Sequence, residues 1–364
     1  MMITRSRIAF VLMLAMPLTS ANAGEEGELT AKAENLHKLL WDKFVHPKTH
    51  VVHTRVQGTG GSPWGSEMED TSLSGGMYLA AMVDRHDVLK SSEAAEEARK
   101  IFNGLLLNAT CGEPGFIARG VKPDGKDFLG APSVDQYTGL LYGIWRYHES
   151  DIATAAEKEQ IRKVYADCLT RLERHKFTIM DSDGKTPTKF CHLSAVQPTR
   201  SERLLSFLLV GWKVTDDKHW FDVYEEMKKP RLETCREFPD YNAWVLVQSA
   251  LSLHMLTATE ERPEVRKVYE EGFASCVRHC LKQVPACRDY LAGSGKDMVK
   301  TFRNPIEGIG TILLSGDGEA SKEIVQSLKD ILIATDPNKH GNSVSLCSLE
   351  WDYWLAVKKG LIPR

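Results

Sequence analysis

The chain lacks most of what would mark a protein for nucleic acid, membrane or metal. Its 46 basic and 49 acidic side chains leave a formal net charge of −3 over 364 residues. The lysines and arginines are scattered, so no basic field exists for a phosphate backbone. Beyond the N-terminal segment no apolar run is long enough to span a bilayer as a helix. Alternating apolar and polar stretches are almost missing, which argues against a sheet protein. No fixed-length repeat and no low-complexity linker divides the sequence. The fragment "DSDGK" at 181–185 reads as a surface turn rather than a calcium loop. Neither a metal nor any other cofactor is expected.

The N-terminus differs from the rest. Arg5 and Arg7 precede an apolar run at 8–16, and Ala21-Asn22-Ala23 supplies a small-x-small cleavage pattern. Residues 1–23 therefore read as a secretory leader, and 24–364 as one mature domain, secreted or periplasmic. No cysteine follows the cleavage point to carry a lipid anchor. The eight cysteines would meet an oxidising compartment, where disulfides or buried thiols are favoured over a metal site.

Helix-period segments fill the mature chain, near 27–45, 70–87, 91–108, 134–149, 154–174, 200–214, 217–228, 241–257, 261–283, 304–315, 319–335 and 348–359. Two kinds alternate. "TAAEKEQIRKVYADCLTRLERH" is charged along one face, whereas "RLLSFLLVGW" and "NPIEGIGTILL" are apolar nearly all round. A one-faced helix lies outside, and a helix apolar on every side is enclosed. Six such alternations predict an all-α fold, an (α/α)6 toroid with an inner ring wrapped by an outer one. An open solenoid of helical hairpins would need a regular repeat, which is missing.

The long connections feed the N-termini of the inner helices, and unusual polar and aromatic residues gather at those junctions. They are Trp64, Glu69 and Asp70 at the first; Arg119, Asp135 and Gln136 at the second; His192 and Arg200 at the third. Asp240, Tyr241 and Asn242 mark the fourth, Arg303 and Glu307 the fifth, Glu350, Trp351 and Asp352 the last. Singly, each has a routine explanation. Asp, Asn and Ser are preferred N-caps, so Ser133 and one of Glu69 and Asp70 read as caps. Arg119 could staple a loop, and Trp64, Trp351 and Trp354 could be core. Together they suit a carbohydrate cleft: aromatic faces for sugar rings, carboxylates and amides for hydroxyls, arginines for a uronate or sulfate.

Glycoside cleavage needs one protonated carboxyl as acid and a second as base or nucleophile. Asp135 is the first choice, with an apolar helix wall expected to desolvate it. Asp70 or Glu69, on the neighbouring helix, is the partner. Trp64, Arg119, Gln136, His192, Arg200, Asp240, Tyr241, Asn242, Arg303, Glu350 and Trp351 are assigned to substrate binding.

Two segments, "GFIARGVKPDGK" and "SVDQYTGLLYGIWRYHES", resemble the six-hairpin glycosidase superfamily, in the branch around unsaturated uronyl hydrolases. The resemblance extends in architecture over nearly the whole mature chain. It implies a carbohydrate-active enzyme, and it places on Asp135 or Asp70 the aspartate that hydrates a vinyl ether. The chain departs from the family's Trp-Arg-Gly-Asn-Gly-Trp signature, with Arg119-Gly120 in a broadly similar place. Alternatives on the same architecture are a lyase, using His53 or His192 with Tyr137 or Tyr241 and Arg119, and a two-histidine epimerase. A non-catalytic glycan-binding module is the alternative outside enzymes.

Overall fold

In the computed structural model the described residues are 20–54, 70–340 and 342–364, with side chains described from residue 27 onward. Helices, numbered along the chain, alternate between two sets. The outer set is α1 (Ser20–Lys43), α3 (Ser92–Thr110), α5 (Ala155–Arg174), α7 (Lys218–Arg231), α9 (Pro263–Gln283) and α12 (Gly318–Ala334). The inner set is α2 (Thr71–Leu89), α4 (Val134–His148), α6 (Ser201–Thr215), α8 (Ala243–Thr259), α11 (Asn304–Ser315) and α13 (Ser343–Lys358). A short α10 (Cys287–Leu291) lies in the connection before α11.

Burial follows the alternation. Every residue of α2 from Thr71 to Arg85 is buried, as is every residue of α11 from Asn304 to Leu314. The outer α12 buries Ala320, Ser321, Ile324, Leu328, Ile331 and Leu332, the three-and-four spacing of a single stripe. Inner neighbours pack in ring order, and α4 also meets α8 across the ring. The tightest seam joins α2 to α4 through glycine: a Cβ at Gly76 would overlap the Gly139 carbonyl, and one at Gly143 would sit 2.6 Å from the Gly76 Cα. That explains the two glycines of "SVDQYTGLLYGIW".

The inner helices run parallel, so their C-terminal halves converge at one end. There Asp84, wholly buried, accepts from Arg146 at 2.7 Å, Lys358 at 2.8 Å and the Trp351 indole at 3.2 Å. Tyr142 and His254 meet at 3.0 Å between α4 and α8. These contacts fasten that end of the ring.

Some expectations shift. Helix α13 starts at Ser343, five residues before the expected start, and α1 already includes Ser20. The expected leader lies outside the described residues except for its last four. Two small hairpins sit in the long connections, β1 (Gly120–Val121) with β2 (Phe128–Leu129), and β3 (Thr178–Met180) with β4 (Pro187–His192). Three of these strands have only two or three residues, and β4, with six, buries only Thr188 and Cys191, so no alternating pattern is left to detect. "DSDGK" is a turn, with Asp183 accepting the Lys185 and Thr186 amides and Gly184 at φ 64°. All eight cysteines are unpaired thiols, and seven are buried. Among the described residues no helix is long and apolar enough to cross a membrane.

Candidate active site

The opposite end of the ring gathers the inner N-termini. Helix α4 begins with a reciprocal cap: the Ser133 hydroxyl accepts the Asp135 N–H at 3.3 Å, and the Gln136 side-chain oxygen accepts the Ser133 N–H at 2.8 Å. Ser133 is the cap, as expected, and Asp135 is left free of that duty. Gln136, expected to touch substrate, is wholly buried and instead donates its amide to Asp70 Oδ1 at 2.9 Å. It is a positioning residue that ties the start of α4 to that of α2.

Asp70 occupies the N-cap place of α2 with φ 61°, yet its side chain caps nothing. A left-handed aspartate is tolerated but strained, by on the order of 1 kcal/mol. Its carboxylate faces Gln136 and, at 3.5 Å, the Arg119 guanidinium. Arg119 is held in place through its backbone: Thr71 donates to its carbonyl at 2.7 Å, and Ser72 to that of Ala118 at 2.8 Å.

Asp135 is not enclosed by an apolar wall. Its side chain is 31% exposed, as is that of Asp70, and Oδ1 accepts from Arg203 Nη1 at 2.8 Å. Arg203 is 1% exposed in the first turn of α6, beside a buried Glu202 held by Ser249 at 2.7 Å. Burial pushes the Glu202 carboxyl up, with Arg203 pulling it down. Neither residue was singled out from sequence. The available signal was an arginine in the first turn of an otherwise apolar inner helix.

Arg200, one turn earlier, donates only to the carbonyl of Thr199 at 2.7 Å and its hydroxyl at 3.3 Å. It has no carboxylate within ion-pair distance among the described residues. Burial and the Arg203 charge lower its pKa, while Asp135, Glu202 and Tyr241 act in the other direction. Tyr241, two residues before α8, is 37% exposed.

The fifth junction completes the cluster. Arg303 donates to Glu307 at 3.0 Å and lies 5.5 Å over the Trp244 ring; Asn304 reaches Asn242 at 3.5 Å. Burial raises the Glu307 pKa, Arg303 opposes it, and the charges of Asp70 and Asp135 add to the rise. Beneath it Asp352 is wholly buried, and neither oxygen has a hydrogen-bond partner among the described residues. Burial, then the neighbouring Glu307, holds Asp352 well above the usual carboxylate range. The two accessible carboxyls of the described site are Asp70 and Asp135, with Glu202, Glu307 and Asp352 buried beneath or beside them.

Four expected site residues fall elsewhere. Glu350 lies two turns into α13 and turns to the outer α1, 2.7 Å from His37. Trp351 is core and donates to Asp84 at the far end of the ring. Asp240 points outward to His279 on α9, at 3.0 Å. His192 is exposed at the end of β4. Trp64 and Glu69 lie outside the described residues. Of the lyase candidates, His53 is wholly buried, and Tyr137 is buried with its hydroxyl donating to the Gly115 carbonyl at 3.0 Å. Among the described residues no His, Cys, Asp and Glu side chains are grouped to hold a metal ion.

Neither a protein-family profile nor a curated protein matches the sequence. Solved structures do. A family 76 glycoside hydrolase (mannosidase) from Bacteroides thetaiotaomicron VPI-5482 superposes with TM-score 0.55 at 11% identity, over 91% of this chain and 99% of that one. An unsaturated glucuronyl hydrolase specific for heparin gives 0.55 at 12%, over 94% and 99%. A second family 76 enzyme, from a bovine strain of Bacteroides thetaiotaomicron, gives 0.54 at 12%, over 90% and 77%. The likeness shows the fold, an (α/α)6 toroid.

Proposed function

We propose that this chain is an exported glycoside hydrolase acting on a uronic-acid-containing poly- or oligosaccharide, with Asp135 and Asp70 as its working carboxyl pair. One observation carries the carboxyl assignment. Of the acidic side chains converging at the open end of the ring, these two are 31% exposed each, on adjacent helix starts that Gln136 links. Glu307, Glu202 and Asp352 are buried beneath or beside them. One of the pair delivers a proton at the scissile bond, and the other activates water or attacks from the opposite face of the ring. Arg203 and Gln136 fix their orientations.

Arg200 supports the anionic substrate. A guanidinium losing hydration with no carboxylate partner among the described residues gains from a planar anion, and a uronate supplies one. One kind of fold neighbour is a mannosidase, and the other is an unsaturated glucuronyl hydrolase specific for heparin.

The test is a glycan screen followed by three variants. Neutral and uronic-acid glycans are scored for reducing ends and for gain or loss of ultraviolet absorbance from unsaturated uronyl ends. Asp135→Asn and Asp70→Asn are expected to fold and lose turnover. Arg200→Gln should cost roughly tenfold to a hundredfold in kcat/KM on a uronate substrate, the range for a hydrogen bond to a charged group. Near wild-type turnover by Asp135→Asn would remove it from the chemistry, and absorbance gain would make the enzyme a lyase.

A further inference from the structure

A cleft of about 700 Å³ opens between the segment leading into α11 and the turn before α13. Its size is that of a small-molecule site, roughly 300–1,000 Å³. Three rings build one wall. Tyr290 and Phe302 have centroids 4.6 Å apart, and His340 stacks on Phe302 at 4.5 Å with 23° between planes. The Tyr290 hydroxyl lies 3.3 Å from His340 Nε2, which locks the arrangement. Burial lowers the His340 pKa, against the pull of Asp336, so the stacked ring is neutral at neutral pH.

The rim leaves apolar and polar groups open together. Met298 and Val299 are 41% and 46% exposed, an unusual pair of large apolar side chains beside Asp336 and Lys339. Aromatic and apolar walls with hydroxyl-binding groups at the edge are what a sugar ring requires, since its C–H face stacks and its rim hydrogen-bonds. Arg303 lines this cleft and donates to Glu307 in the first turn of α11, and Asn342, also in the lining, is the N-cap of α13. The cleft thus opens at the end of the ring where the inner helices start, the end that carries Asp70 and Asp135.

We propose that this cleft is a further sugar-binding position, taking a saccharide unit beyond the two that flank the scissile bond over Asp135 and Asp70. The assignment rests on the hydrolase reading above and adds to it a preference for chains longer than a disaccharide.

The experiment uses size ladders of unsaturated di-, tetra- and hexasaccharides from heparin and from hyaluronan. Turnover is measured with the whole protein, and binding with Asp135→Asn. Wild type is expected to gain about tenfold in kcat/KM from di- to tetrasaccharide, the upper range of one ring contact, mostly through KM. Tyr290→Ala should bring that ratio close to one, and Tyr290→Phe should keep it. Val299→Trp, at an exposed rim position, should block the cleft with the same loss of ratio. Equal kcat/KM along a ladder that is turned over, or a wild-type ratio in both Tyr290→Ala and Val299→Trp, would overturn the further site alone. No turnover and no binding of either ladder would overturn the hydrolase reading, and this site with it.

Discussion

His37 makes the charge state of one buried contact measurable. Its Nδ1 lies 2.7 Å from Glu350 and its Nε2 3.2 Å from Glu97, so α1, α3 and α13 meet at one imidazole. Ionised carboxylates only accept, so the ring satisfies both partners when both nitrogens carry protons. Burial alone would lower the pKa. The Glu350 charge and the hydrogen bonds to Glu350 and Glu97 outweigh burial and the opposing Arg85, and carry it from 6.5 up to about 9. That difference corresponds to about 3 kcal/mol of stability linked to one proton. The folded state binds this proton more tightly than the unfolded chain. The contribution is therefore fully present below about pH 6.5 and lost as the pH rises through about 9. Within that window it adds up to about 1.4 kcal/mol of falling stability per pH unit. Urea unfolding of wild type and Glu350→Gln at several pH values separates this group from the rest. The variant should be less stable at neutral pH, and its deficit should shrink as the pH rises to 9. Parallel pH profiles for the two proteins, or a His37 titration below pH 7 by nuclear magnetic resonance, would refute the account. The same variant should leave KM unchanged, because Glu350 faces α1 and not the cleft.

Three further outcomes are expected. Gly139→Ala sets a Cβ against the α2 backbone at Leu73, where no flexible side chain can give way, so it should lose about 2 kcal/mol or more by denaturant midpoint; a neutral result would deny the close seam. A thiol reagent should count eight cysteines in denaturant without reductant, and natively only Cys111, slowly, since burial pushes its thiol up to about 11. A lower count in denaturant would reveal disulfides. Expressed in a secreting host, the mature protein should begin at Gly24 by N-terminal sequencing, and retention of Met1 would dismiss the leader.

What could be read from sequence was everything governed by burial along one helix at a time. Apolar residues on all sides against apolar residues on one side is a local pattern, and it distinguished inner from outer helices and hence the toroid. Ser133 as a cap was equally legible, because capping involves residues within one turn. Partners across helices were not. Asp135, Glu350 and Asp240 all look alike in sequence, acidic groups at or near apolar helices. Helix phase and ring closure turn the first to the cavity and Arg203, the second to His37, and the third to His279. Gln136 became a strut rather than a ligand for the same reason, since Asp70 is 66 residues away along the chain and 2.9 Å away in space. The sequence by itself determined the helices, their inner and outer faces and the end of the ring where polar groups collect. Only the tertiary structure decided which of those groups are accessible and which neutralise one another, because burial and Coulomb energy depend on distances that helix packing sets.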